Sequence, residues 1–146
     1  MRRWYKGMSN RTFIVYPIAV ISFELGLHRG VLIVHPAGAF LLVRGCLQYR
    51  FVGRYRVANG GGPGLDVPPK CIVIEGAYRY TRHPIYLGHL IFMAVLAASF
   101  TPWLAAALLA FHAVWFQCRV LKDEARLESR FGSPYLAYKS LVKRWI

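Results

Sequence analysis

Apolar and polar positions along this chain are gathered into blocks rather than mixed evenly. A first apolar run covers residues 12–27 and is interrupted by Pro17 and Glu24. His28, Arg29 and Gly30 make a turn, and a second run covers residues 31–47, with an extension towards Val52. The third run is residues 85–100 and the fourth residues 103–118, with Thr101 and Pro102 as the turn between them. The first run is short of the roughly 20 residues that a bilayer asks of a spanning helix. Pro17 falls in first turns, where a missing N–H costs least. Pro84 stands at the first helical position of the third run, where its N–H would be unpaired in any case. The pattern predicts an all-α polytopic membrane protein with about four transmembrane helices in two hairpins. It is one domain over residues 1–146: an N-terminal hairpin at 1–56, a loop at 57–84, a second hairpin at 85–118 and a C-terminal segment at 119–146. In that last segment Leu121, Leu127, Phe131, Tyr135, Tyr138 and Leu141 recur among charges at helical spacing. That predicts an amphipathic helix on the membrane face.

The stretches between the runs are different in kind. Residues 49–56, YRFVGRYR, alternate basic and aromatic side chains. This suits headgroup depth, with rings at the interface and guanidinium groups on phosphates. Residues 59–64, NGGGPG, cannot be helical, and Pro68-Pro69 follow. Residues 71–74 are apolar but too short to span.

Composition sharpens this picture. The chain has 146 residues, 56% of them hydrophobic, with 19 Lys+Arg against 6 Asp+Glu. A pI near 10.2 would by itself suggest nucleic acid, yet the mean hydropathy is +0.35 and the charges are segregated from the apolar blocks. That segregation argues against a nucleic-acid partner and for a membrane. Every Lys and Arg except Arg29 lies in the N-terminal arm, the middle region or the tail. The positive-inside rule then puts both termini, the long loop and any site built on them on the cytoplasmic side. The N-terminal MRRWYKGMSNR has no small-residue cleavage site behind it and leads into an uncleaved first helix. Cys46, Cys71 and Cys118 offer neither a disulfide framework nor a zinc spacing. Glu24 is an ionisable group in an apolar run, either functional or interfacial. Arg44 can snorkel to the headgroups.

Candidate chemistry concentrates in residues 76–88, GAYRYTRHPIYLG, and residues 123–139, DEARLESRFGSPYLAYK. Arg82 and His83 precede a helix start, whose free N–H groups and partial positive charge favour an anion. A tight second hairpin brings Tyr86 and Arg119 back to one membrane face. Arg82, His83 and Tyr86 then form one wall of a site and Asp123, Glu124 and Glu128 the other. Cations opposite carboxylates suit a zwitterion such as an amino-acid moiety.

These two stretches, in order around one hairpin, resemble the isoprenylcysteine carboxyl methyltransferase and phospholipid methyltransferase family. Its pattern is matched by Arg82-His83-Pro84-Ile85-Tyr86, Asp123-Glu124, Leu127, Phe131-Gly132, and Tyr135 with Tyr138. Asp123 stands where the family has a second Glu, and the proline expected after the last basic stretch is missing. The likeness covers about the C-terminal half. It implies a multi-span membrane enzyme that uses S-adenosylmethionine, with a lipid or lipophilic acceptor. Arg82, His83, Tyr86, Asp123, Glu124 and Tyr135 would bind the cofactor. Displacement at a sulfonium methyl needs an in-line nucleophile and a dry site more than a strong base. An amine acceptor needs a proton taken, for which Glu124, Glu128 and His89 are candidates; a carboxylate acceptor needs positioning, by Arg126 or Arg130. Phospholipid amines, prenylcysteine carboxylates, thiols and phenols all stay open as acceptors. Two other readings stand beside this one. A related reductase would use a nicotinamide cofactor, and a non-enzymatic membrane protein could hold haem on His35, His89 or His112.

Overall fold

The computed structural model describes residues 10–31, 36–61, 69–100 and 103–146. His35, the basic residues Arg2, Arg3 and Lys6, Pro68 and the turn at Thr101-Pro102 lie outside the described residues. All regular structure among the described residues is helical: α1 (Tyr16–Leu27), α2 (Pro36–Ala58), α3 (Pro84–Ser99), α4 (Trp103–Phe131) and α5 (Ser133–Leu141). A π-helical turn at Arg11–Val15 leads into α1. Its cause is local. Pro17 has no N–H for the carbonyl four residues back, so the α register is lost just ahead of it. α1 ends in the turn foreseen at residues 28–30, where Arg29 and Gly30 both take positive φ.

α2 runs through Ala58, so the basic and aromatic residues 49–56 form its last two turns. Arg44, Arg50, Arg54 and Arg56 therefore all ride on this helix. Among the described residues, one helix is long and apolar enough to cross a membrane. It is α4, with a mean hydropathy of 1.6 over its most apolar window; α3 is a shorter apolar helix. The apolar part of α4 ends near Cys118, and its extension to Phe131 is dense in charge.

The chain divides into two compact units, Met1–Leu47 with His89–Ala113, and Gln48–Gly88 with Val114–Ile146. The first unit is built on Val20, Met93, Leu96, Phe100 and Ala105, against which Tyr16, Leu42 and Leu108 pack. Apolar side chains of α1, α3 and α4 thus meet in one core, the second hairpin of the sequence pattern closed by the first helix. The second unit has a smaller apolar core of Val52, Tyr78 and Ile85, with Tyr49, Val73 and Ala77 beside them. Into this unit fold both chemistry-bearing stretches.

Candidate active site

The site begins with a turn that the sequence makes unavoidable. Gly76 sits at φ +62, and a Cβ there would stand 2.9 Å from the ring of Tyr55. Only glycine takes that backbone at no steric cost. A short 3-10 helix follows, Gly76–Arg79, and presents Tyr78 to the core of the unit. Residues 80–83 then run irregularly into α3, which starts at Pro84, as the proline dictates.

Gly132 makes the second turn that shapes the site. Its φ of 58 and ψ of −129 separate α4 from α5, a conformation that needs glycine. The break turns α5 back so that Tyr135 and Tyr138 are buried, at 1% and 8% exposure. The Tyr138 hydroxyl donates to the Tyr78 carbonyl at 2.7 Å. The chain then leaves α5 extended, and its last residues pair with the turn before α3. The Arg82 N–H donates to the Lys143 carbonyl at 3.1 Å. Thr81 Oγ1 donates to the Arg144 carbonyl at 2.8 Å and accepts the His83 N–H at 3.2 Å.

At the centre is Glu124, on the polar extension of α4 and only 3% exposed. His83 Nε2 donates to its Oε1 at 3.0 Å. Arg82 Nη1 lies 3.3 Å from the same oxygen. Arg144 spans both oxygens, Nε to Oε1 at 3.1 Å and Nη2 to Oε2 at 2.9 Å. Burial alone would push this carboxyl up. The hydrogen bonds from His83 and Arg144 and the charge of Arg82 outweigh burial and hold it at about 2. Such a carboxylate, with every oxygen engaged, is a fixed anion that orders the cations around it.

Beside it, Tyr86 donates to Asp123 Oδ2 at 2.6 Å, and its ring meets Phe116 edge-on at 5.2 Å. A cleft opens here, with about 780 Å³ of space when its open mouth is included. Arg82, His83, Tyr86, Asp123 and Tyr135 line it, with apolar walls from Ile72, Val73, Ile85 and Leu127. Tyr135 and Arg82 are its unusual members. The Tyr135 hydroxyl interacts with the Arg82 side chain without a hydrogen bond of good geometry, and Arg82 Nε also lacks one, while Arg82 Nη1 is ion-paired with Glu124. Buried polar atoms left in this state are rare in a folded protein and call for a ligand or water.

Of the residues singled out from sequence, Arg82, His83, Tyr86, Asp123, Glu124 and Tyr135 come together in this one unit. Glu124 is within reach of its partners but does not line the cleft, all its oxygen atoms being turned to Arg82, His83 and Arg144. Glu128 is paired with Lys139 at 2.9 Å. Arg130 is exposed and stacks over Phe131, 5.7 Å from its ring centre. His89 belongs to the other unit, fully buried with its ring 5.0 Å from Phe13. His112 is also there, donating from Nδ1 to the Leu108 carbonyl at 3.1 Å, with Tyr16 edge-on at 4.8 Å.

Sequence reasoning passed over Arg144, Thr81, Tyr78 and Arg56, which lines the cleft from α2. Thr81 and Tyr78 lie inside the stretch already marked, so proximity to the Arg-His-Pro motif was their signal. Arg144 had none beyond sitting in the final basic run, since its pairing with Glu124 depends on a return of the chain.

Neither the curated proteins nor the solved structures contain a match to this chain. Residues 65–129, from the loop before the Arg-His-Pro turn to the end of the acidic stretch, match the model of the Isoprenylcysteine carboxyl methyltransferase (ICMT) family, a family of methyltransferases and the one that the two motifs resemble.

Proposed function

We propose that the protein is an integral membrane methyltransferase that moves a methyl group from S-adenosylmethionine to a lipid or lipophilic acceptor at the cytoplasmic membrane face. One observation carries the reading. Arg82 Nε and the Tyr135 hydroxyl are buried, without a hydrogen bond of good geometry, in residues that line a cleft built from both motifs. A methionine end, with a carboxylate and an ammonium, would satisfy Arg82 and Tyr135 through the first group and Asp123 through the second. Ile72, Val73, Ile85 and Leu127 offer apolar contact to the rest of such a molecule.

When bound, S-adenosylmethionine supplies an electrophilic methyl carbon: the acceptor's lone pair forms the new bond, the carbon–sulfur bond breaks, and sulfur keeps that pair as a neutral thioether. The residues present bind, orient and exclude water. His83 and Glu124 hold the Arg82 guanidinium in place, and Tyr86 holds Asp123. For the acceptor, the support is for positioning by Arg56 and Arg126, which line the cleft. The roles assigned from sequence to His89 and Arg130 have less behind them, as neither lines the cleft. Four spans within a single domain, with both termini cytoplasmic, fit the apolar character of α3 and α4 and the placement of the basic residues.

Calorimetry of S-adenosylhomocysteine with the detergent-solubilised protein tests the proposal. The expected result is saturable binding that Arg82→Ala and Glu124→Ala each weaken by about ten-fold or more, as loss of a charged hydrogen bond implies. Unchanged affinity in both variants refutes the site.

A further inference from the structure

Residues 143–144 are the last structured link to the site, and they touch it at three points. The Lys143 carbonyl holds the Arg82 N–H, the Arg144 carbonyl holds the Thr81 hydroxyl, and the Arg144 guanidinium spans Glu124. Trp145 anchors the same segment to α4, its Nε1 donating to Gln117 Oε1 at 3.2 Å, and its ring lies 6.2 Å from that of His83. Residues 143–145 themselves lie beyond residue 129, where the family match stops. Arg144 does not line the cleft.

We infer that Arg144 is a positioning residue: the C-terminal strap fixes Glu124, and Glu124 in turn fixes Arg82 and His83 in the form that meets the methyl donor. The inference rests on the reading of the cleft given above. Its physical basis is asymmetry. Glu124 Oε2 has its hydrogen bond from Arg144, whereas Oε1 is shared by His83, Arg82 and Arg144. Without Arg144, a nearly buried carboxylate would lose the donor on Oε2 and draw Arg82 and His83 towards that oxygen. Arg82 would then leave the cleft wall. A lysine at 144 restores the charge but not the two-point fork, so it should rescue in part.

The test uses the full chain in detergent and S-adenosylhomocysteine as probe, with Arg144→Gln, Arg144→Lys, Glu124→Gln and the Arg144→Gln/Glu124→Gln double variant. Arg144→Gln is expected to weaken binding by about ten-fold and Arg144→Lys by about three-fold. The double variant should bind no worse than Glu124→Gln alone, because both act through one link. Parent-like affinity in Arg144→Gln, or losses that simply multiply in the double variant, overturns the inference. If the parent itself binds no S-adenosylhomocysteine, the methyl-donor reading fails, and the strap is then judged on the same cycle read as melting temperatures. There, coupling between positions 124 and 144 supports the strap and additivity overturns it.

Discussion

Tyr135 separates stability from function at the scale of one atom. Its hydroxyl is buried and poorly satisfied in the folded chain, so removing it should not weaken the fold. Tyr135→Phe is expected to leave the melting temperature unchanged or slightly raised, since a buried unsatisfied group costs about 1–3 kcal/mol. It should at the same time lower affinity for S-adenosylhomocysteine. A hydroxyl with a purely structural role would give the opposite pair of results. Glu124 makes a pH prediction. Its folded pKa of about 2 lies below the ordinary 4.5, so the folded state favours the ionised form. The stability it contributes is present above about pH 4.5 and is lost as the pH falls towards 2. Melting scans from pH 6 to pH 2.5 should show this acid loss in the parent and a flatter profile in Glu124→Gln, which starts from a lower value because Arg82 and Arg144 lose their shared anion.

At the scale of elements, two glycines and one tyrosine decide where the helices point. Gly76→Ala forces a Cβ against Tyr55 at positive φ. Chemical denaturation should register a loss of about 1–3 kcal/mol, the usual cost of a strained backbone. Tyr138 ties α5 to the 3-10 turn through the Tyr78 carbonyl. Tyr138→Phe keeps the ring and loses the bond, with an expected cost of about 0.5–1.5 kcal/mol. The Lys139–Glu128 pair, which joins the same helix to α4, is partly exposed, and Lys139→Ala should change stability by less than about 1 kcal/mol. These elements were legible to different degrees. Pro84 announced the start of α3, whereas the sequence pattern ended the fourth run at residue 118, and neither the continuation of α4 to Phe131 nor the break at Gly132 was read from it. The length of α2 was not legible, because the arginines and tyrosines of residues 49–56 suit an interfacial segment as well as a helix end.

For the molecule as a whole, the proposed orientation is open to direct labelling. Cys71 is exposed, in the segment assigned to the cytoplasmic side. With Cys46 and Cys118 changed to Ser, a membrane-impermeant maleimide should label Cys71 in inverted membrane vesicles and not in right-side-out ones. Labelling with the reverse preference would overturn the assignment drawn from the basic residues. The apolar runs established helices, because uninterrupted apolar sequence of that length must satisfy its backbone internally when it meets lipid. They could not establish how many runs span, since α2 brings four arginines with it and that dilutes its hydropathy.

Some properties of this protein are set locally and are therefore written in the sequence. The helical class, the proline start of α3 and the glycine turns at 76 and 132 all follow from nearest neighbours and from blocks of like character. Others depend on groups far apart along the chain. Arg144 reaching Glu124, Tyr138 reaching Tyr78 and the unsatisfied face of Arg82 beside Tyr135 arise only when α5 turns back and the tail returns. Local rules fix backbone angles and faces, whereas the partner that a buried charge finds is chosen by which distant segment closes over it.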